Sequence, residues 1–398
     1  MDYDQARRYV AGTLKFGMKL GLERMRALMT ELGDPQNRLR FVHIAGTNGK
    51  GSTSMFAACS LACAGFRVGL FTSPFIERFT ERIRLIDGRE GMARFAMDEE
   101  EGEIGQEDFA SEITRVAAAV ERLMRDGMES PTEFELITAA ALLHFDASSC
   151  DYVVLEVGLG GIYDSTNIIP RAEACVITAM GYDHMDRLGN TMAEITANKA
   201  GIIKPGCRTF LYDPAVACDT PEDAAAVERV VRTRCEETGS PLCILRAAQV
   251  QTQPSGLEGQ DFTLSTDDAT YRLHTRMLGR HQPMNAALAA LAVLPLADPD
   301  AVAEGIAAAR WPVRQEIVRR TDPPVMIDGS HNPQSVRELA DTLGRVFKDR
   351  NLVFVCGVMA DKDHAEMLRL VLANEDFHAT AFVAVTPDNP RAMQAEAL

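Results

Sequence analysis

At 398 residues the chain is too long for one ordinary hydrophobic core, so two domains are expected. Its composition, 46% hydrophobic and 25% charged, is that of a globular protein, and a net charge of −16 excludes a nucleic-acid binder built on a basic stripe. No apolar stretch approaches the roughly 20 residues that cross a bilayer. The start, Met1-Asp2-Tyr3-Asp4, lacks the basic-then-apolar order of a signal peptide, so a cytoplasmic protein without a membrane partner is expected.

In chain order, residues 41–45 read as a short apolar strand and 53–64 as a helix. Between them lies Gly46-Thr47-Asn48-Gly49-Lys50-Gly51-Ser52. A strand, a glycine turn and a helix N-terminus make an anion cradle, because backbone N–H groups and the helix dipole both favour negative charge there. Lys50 can reach the outer phosphates of a nucleotide, and the Ser52 hydroxyl lies where a magnesium ion would sit. The spacing is not that of the commonest P-loop, since Gly51 intervenes between Lys50 and the hydroxyl. Cys59 and Cys63 fall on one helix and read as buried small apolar residues; nine cysteines without a Cys-x-x-Cys pair imply reduced thiols.

Residues 66–71 read as a strand, 113–124 and 133–145 as helices, and 152–157 and 174–179 as strands. This alternation predicts a mostly parallel sheet covered on both faces. The acidic run 98–101 reads as a solvated loop. Residues 206–275 bring a strand, a helix over 221–237 and a hairpin around Asp267-Asp268. An alanine-rich helix spans 283–294, a further helix ends near Arg310, and Trp311-Pro312 marks a linker. A second alternating unit follows, with strands at 325–327, 352–356 and 379–385 and helices at 335–347 and 365–372. The expected division is therefore 1–310 and 311–398.

Open α/β sheets bind ligands at the carboxyl ends of their strands, so polar groups there are candidates for chemistry. Thr72-Ser73-Pro74 could ligate magnesium, although helix capping is the reading favoured by residue type. Glu156, inside an apolar strand and followed by Val157-Gly158-Leu159-Gly160-Gly161, resembles the acidic magnesium-holding element of nucleotide-hydrolysing sites; the alternative is a buried Glu–Arg pair. Asp183-His184 follows a strand and reads equally as a ligand, an acid–base pair or a surface pair. Lys199, taken alone, reads as a solvated helix lysine. Asp328-Gly329-Ser330-His331-Asn332-Pro333 follows a strand and opens a helix, as an N-capping turn or as a nucleotide contact.

Six segments occur in order: 46–52, 72–74, 156–161, 183–184, 199–206 (Lys-Ala-Gly-Ile-Ile-Lys-Pro-Gly) and 328–333. Together they resemble the folylpolyglutamate synthase and dihydrofolate synthase family of the Mur ligase superfamily, from about Lys15 to the C-terminus. The resemblance implies an α/β protein: a P-loop ATPase domain with a mostly parallel sheet and a smaller Rossmann-like C-terminal domain. It implies Gly49, Lys50, Gly51 and Ser52 around the ATP phosphates, with Asn285, Arg314 and Asp328 as further nucleotide contacts. It implies Ser73 and Glu156 on one Mg2+ with His184 in the metal shell, and Lys199 as a carbamate helping to hold a second Mg2+. Lys50, Lys199 and His184 are thus the implied catalytic residues. Leu20-Gly21-Leu22 and Thr132-Glu133-Phe134-Glu135 match segments lining a pterin site.

The implied activity is ATP-dependent addition of L-glutamate to the γ-carboxylate of a folate through an acyl phosphate, by a monomer. A bifunctional enzyme that also uses dihydropteroate is an alternative. The resemblance also implies a strand beyond Leu398 and a helix at the chain's end. A shortened second domain, and with it an ATP- and folate-binding protein without ligase activity, is the second alternative. Four positions depart from the family pattern: Phe75 for His, Ile162 for Arg, Asn198 for Glu and Val313 for Gly.

Overall fold

The computed structural model describes residues 1–13, 21–254 and 256–398. The chain separates into two compact units. The first comprises Met1–Val250, Leu264–Leu273 and Met284–Ala309; the second comprises Gln251–Thr263, His274–Pro283 and Arg310–Leu398.

The first unit is built on a seven-stranded sheet of β1 (Phe41–Ala45), β2 (Arg67–Phe71), β3 (Ile83–Asp87), β4 (Tyr152–Glu156), β5 (Ala174–Ile177), β6 (Arg208–Leu211) and β7 (Leu242–Ile244). Their order is β3-β2-β4-β1-β5-β6-β7, and every pair is parallel except β2 with β3. Strands β1, β4 and β5 are buried along their whole length, which is why they read as unbroken apolar runs rather than as alternating ones. The antiparallel β3 escapes the sequence pattern because Arg84 and Asp87 interrupt it; Arg84 is nonetheless buried, pairing with Glu103 at 3.2 Å. The expected helices are present as Lys50–Cys63, Gln106–Arg125, Glu133–Ala147 and Pro221–Thr238. Two helices that periodicity did not signal, Tyr3–Ala11 and Glu23–Glu31, precede the first strand.

The helix Lys50–Cys63 is buried on all sides from Ser52 to Cys63, Cys59 and Cys63 included. Helix Pro299–Ala308 crosses it so closely that a Cβ on Gly305 would lie 2.6 Å from the Cys59 carbonyl carbon. At this crossing the Ser60 hydroxyl donates to the Phe56 carbonyl at 2.7 Å and to that of Val302 at 3.2 Å. Burial of that hydroxyl is therefore satisfied.

A separate three-stranded sheet contains β8 (Val250–Thr252), β9 (Gln260–Ser265) and β10 (Thr270–Thr275), in the order β10-β9-β8, with β9 and β10 flanking Asp267-Asp268 as a hairpin. In the second unit β11 (Glu316–Arg319) pairs antiparallel with β12 (Val325–Ile327), and β13 (Asn351–Cys356) parallel with β14 (His378–Ala384). Helices Pro333–Val346 and His364–Leu372 supply Val336, Leu343, Met367 and Val371 to its core, around Ile317, Phe347 and Phe377. Residues 386–398 hold a bridge from Ala392 to Met359 and a final turn, not the helix expected there. All nine cysteines are unpaired thiols, and no described helix is long and apolar enough to cross a membrane.

Candidate active site

Three adjacent parallel strands, β4, β1 and β5, end at Glu156, Ala45 and Ile177, and the polar residues of the first unit gather beyond those ends. After β1, Gly46 has φ of 151°, and a Cβ there would overlap the Thr178 hydroxyl. The Thr47 and Asn48 N–H groups both donate to the Ala179 carbonyl at 3.0 Å, which ties the loop to the segment after β5. Gly49, at φ 84°, opens the helix Lys50–Cys63; a Cβ there would lie 2.6 Å from Asn285 Oδ1. The loop thus needs glycine for both conformation and space. The Lys50 ammonium folds back to donate to the carbonyls of Gly46 and Thr47, each at 3.2 Å.

Lys199 departs from its solvated reading. It is buried, and its ammonium donates to the Gly46 carbonyl at 2.8 Å. Desolvation, reinforced by the nearby Lys50 charge, pulls its pKa from 10.5 to about 7. The local sequence gave no sign of this, because burial arises from the loop that follows Glu156. A Cβ on Gly161 would come within 2.6–2.9 Å of the Asn198 and Lys199 backbone, so that loop lies flat on helix Met192–Ala200.

Glu156 is buried, and its Oε2 accepts the Ser73 N–H at 3.1 Å. Neither Thr72 nor Ser73 caps a helix, contrary to the reading from residue type. The 3-10 turn Phe79–Arg82 starts at Arg78, and the N–H groups of Ile76, Glu77 and Arg78 converge on the Glu81 carboxylate at 2.7–2.9 Å. The 72–74 backbone is thereby free to follow Glu156.

A buried network that sequence reading missed anchors the same region. Asp164 accepts from the N–H of Leu159 at 2.8 Å, the N–H of Thr166 at 3.0 Å and the Thr166 hydroxyl at 2.5 Å. His43, in the middle of β1, places Nε2 3.0 Å from that hydroxyl. Because the hydroxyl proton goes to Asp164, the His43 ring donates from Nε2. Burial holds the imidazole well below its usual pKa and raises the Asp164 carboxyl. A lone histidine in an apolar strand carries no signal of its partner 123 residues away.

The segment 132–135 opens helix Glu133–Ala147 with a capping box: Glu135 accepts the Thr132 N–H at 2.7 Å and Thr132 accepts the Glu135 N–H at 3.3 Å. Glu135 also pairs with Arg24 at 3.2 Å, whereas Phe134 rests on Gly158, whose Cβ would lie 2.6 Å from the ring. Leu22 is buried and Gly21 takes φ 125°; Leu20 lies outside the described residues. Asp183 and His184 are about half exposed, 3.5 Å apart.

In the second unit the Asp328 carboxylate accepts the N–H groups of Gln315 at 2.9 Å and Ser330 at 2.8 Å. Arg314 sits between Val313 and Gln315, both left-handed at φ 57° and 51°. A β-branched residue is strained there, which gives a physical reason for the glycine of the family pattern. The cap of helix Pro333–Val346 is Asn332, which accepts the Ser335 N–H at 2.9 Å, so Asp328 is not the capping residue.

Among the described residues no three His, Cys, Asp or Glu side chains converge as a metal cluster. Ser73, after β2, is tied through its N–H to Glu156 at the end of β4; a hydroxyl and a carboxylate are oxygen ligands of the type a hard divalent cation such as Mg2+ takes.

A glycine cradle with a lysine at the carboxyl edge of a parallel sheet, beside a buried carboxylate on the next strand, defines a P-loop nucleotide-dependent enzyme. Residues 108–294 match the Mur ligase middle domain and residues 313–398 the Mur ligase glutamate ligase domain. The dihydrofolate synthase/folylpolyglutamate synthase of Bacillus subtilis is 37% identical over 408 residues, covering 100% of this chain and 88% of the relative. The apo form of the Lacticaseibacillus casei synthase superposes with a TM-score of 0.83 at 31% identity, covering 99% of this chain and 90% of that one. A structure described as an FPGS-AMPPCP-folate complex gives 0.78 at 32% identity, covering 97% and 90%. The chain belongs to the folylpolyglutamate synthase/dihydrofolate synthase family of the Mur ligases.

Proposed function

We propose that this protein is an ATP-dependent ligase that adds L-glutamate to the γ-carboxylate of a folate. The observation that carries the reading is the meeting of Lys50 and Lys199 on the Gly46 carbonyl, beside a glycine cradle and the buried Glu156. It is supported by relatives whose names describe this activity and by a neighbour bound to a nucleotide analogue and folate.

In the reaction a γ-carboxylate oxygen attacks the γ-phosphorus of ATP as its bond to the bridging oxygen breaks, giving an acyl phosphate and ADP. The neutral amine of L-glutamate then attacks the acyl carbon, loses a proton, and phosphate leaves. Phosphoryl transfer depends on positioning and charge neutralisation more than on covalent help. The backbone of Gly49, Gly51 and Ser52 holds the phosphates, and Lys50 swings from the Gly46 carbonyl onto their outer oxygens. Asn285, Arg314 and Asp328 are the further nucleotide contacts, and the domains are 1–310 and 311–398. Ser73 and Glu156 would hold one Mg2+, with His184 in its shell, and the ion would supply charge neutralisation for the anions that must approach one another. A Lys199 amine with a pKa of about 7 is largely neutral at cellular pH and can add to CO2 with release of a proton, giving a carbamate that would help hold a second metal ion. Gly21, Leu22, Thr132, Glu133, Phe134 and Glu135 border the pterin, with Leu20. The protein works as a cytoplasmic monomer.

The name of the Bacillus subtilis relative favours a second reading, in which dihydropteroate is also an acceptor. ADP release with ATP, Mg2+ and L-glutamate separates the two. Release with tetrahydrofolate alone is the polyglutamate synthase, release with dihydropteroate as well is the bifunctional enzyme, and release with neither overturns both.

A further inference from the structure

Arg78 and Arg82, in the loop after β2, and Arg84, in β3, are arginines in two different conditions. Arg78 and Arg84 are saturated: Arg78 Nη2 meets Glu103 at 3.0 Å, and Arg84 meets Glu103 at 3.2 Å and donates to the Glu99 carbonyl at 2.8 Å. Arg82 is not saturated. Its side chain is only 12% exposed, its Nε is buried without a hydrogen-bond partner, and its ion pair, to Glu133, is loose at 3.8 Å. Its guanidinium carbon lies 5.1 Å from the Phe75 ring centroid and 5.2 Å from that of Phe79. A desolvated cationic fork with an unused donor is costly, and burial lowers its pKa accordingly. An incoming carboxylate, which a planar fork fits bidentately, removes that cost.

The position is informative. The Arg82 carbonyl accepts the Thr72 N–H at 3.0 Å, one residue before Ser73, whose own N–H is on Glu156. The loose partner Glu133 opens the helix whose Phe134 packs on Gly158 and, at 5.7 Å between rings, on Phe71. Arg82 therefore stands between the proposed metal residues and the proposed pterin segment, where the acceptor's glutamate tail has to run.

We propose that Arg82 binds the α-carboxylate of the acceptor's terminal glutamate and thereby favours folate-type acceptors over dihydropteroate. This rests on the ligase reading above. A folate acceptor carries two carboxylates: the γ group is activated, and the α group stays ionised a few bonds away. Dihydropteroate carries one, which must itself be activated. Every elongated folate again ends in an α- beside a γ-carboxylate, so one receptor serves all chain lengths.

The test compares tetrahydrofolate with its α-carboxamide in the wild type, Arg82→Gln and Arg82→Lys, by ADP release. The wild type is expected to lose about 10- to 100-fold in kcat/KM with the amide, chiefly through KM. Arg82→Gln should lose a similar factor with tetrahydrofolate and no longer distinguish the two acceptors; Arg82→Lys, keeping the charge without the fork, should retain part of the discrimination. Equal kcat/KM for both acceptors in the wild type, a comparison that needs no variant to fold, overturns the assignment and leaves the ligase reading intact. Undiminished discrimination in Arg82→Gln also overturns it. No turnover of tetrahydrofolate by the wild type overturns the ligase reading, and this one with it.

Discussion

The ammonium of Lys199 lies 2.8 Å from the carbonyl oxygen of Gly46, the same oxygen that accepts from Lys50 at 3.2 Å. Two lysines from different helices, 149 positions apart in sequence, thus share one acceptor at the mouth of the phosphate cradle. The Lys50 charge adds to the desolvation that disfavours the charged form of the buried Lys199.

That arrangement makes stability depend on pH. The unfolded chain keeps Lys199 protonated up to about pH 10.5, whereas the folded chain releases the proton near 7. Between those values the unfolded state binds more protons, so stability rises as pH climbs from 7 to 10.5. At about 1.4 kcal/mol per unit the full effect is on the order of 5 kcal/mol. In CO2-free buffer Lys199→Met is expected to flatten that slope and to be more stable than the wild type at pH 7, by urea titration at a series of pH values. A slope unchanged by the substitution would count against the burial argument.

The two charges closest to the proposed chemistry are separable from folding. Lys50→Ala and Glu156→Ala should each reduce ADP release by about 10³-fold or more while circular dichroism and gel filtration stay native. Wild-type turnover in either variant removes that residue from the machinery.

Gly161→Ala tests whether the glycine loop must lie on helix Met192–Ala200. The added methyl would come within 2.6–2.9 Å of three backbone atoms, which cannot move as a flexible side chain can. A loss of about 1–3 kcal/mol in urea unfolding is expected, together with a rise in the Lys199 pKa as water gains access. Titration of the Lys199 ε-methylene signals by NMR reports the second effect.

The His43–Thr166–Asp164 network gives an acid limb. Folded His43 stays neutral well below the usual 6.5, so the unfolded state binds the extra proton first and stability falls as pH drops below 6.5. His43→Leu should remove up to about 1.4 kcal/mol of that loss per pH unit. Thr166→Val, which strands the ring nitrogen and leaves Asp164 Oδ1 with the backbone N–H of residue 166 alone, should cost about 1–3 kcal/mol at neutral pH. Thermal melts at pH 5 and pH 7 distinguish the two outcomes.

The sequence by itself determined the glycine loop between β1 and its helix, the strand–helix alternation and nearly every core strand. These are local properties: glycine spacing, unbroken apolar runs in strands buried on both faces, and helical periodicity. It also singled out Ser73, Glu156 and Lys199, through motif order rather than through any visible environment. Tertiary structure decided what surrounds them. The capping reading of Thr72-Ser73 failed because Glu81 captures the neighbouring N–H groups and leaves the Ser73 N–H to Glu156. The solvated reading of Lys199 failed because Gly161 lets a loop 38 residues earlier lie against its backbone. Strand β3 was hidden by Arg84, whose charge is met by Glu103. Glu81 acts locally, but the Glu156 that receives the Ser73 N–H, the Gly161 loop and Glu103 are distant in sequence, and burial, which sets pKa and hydrogen-bond demand, is a property of the packed chain that no local window contains.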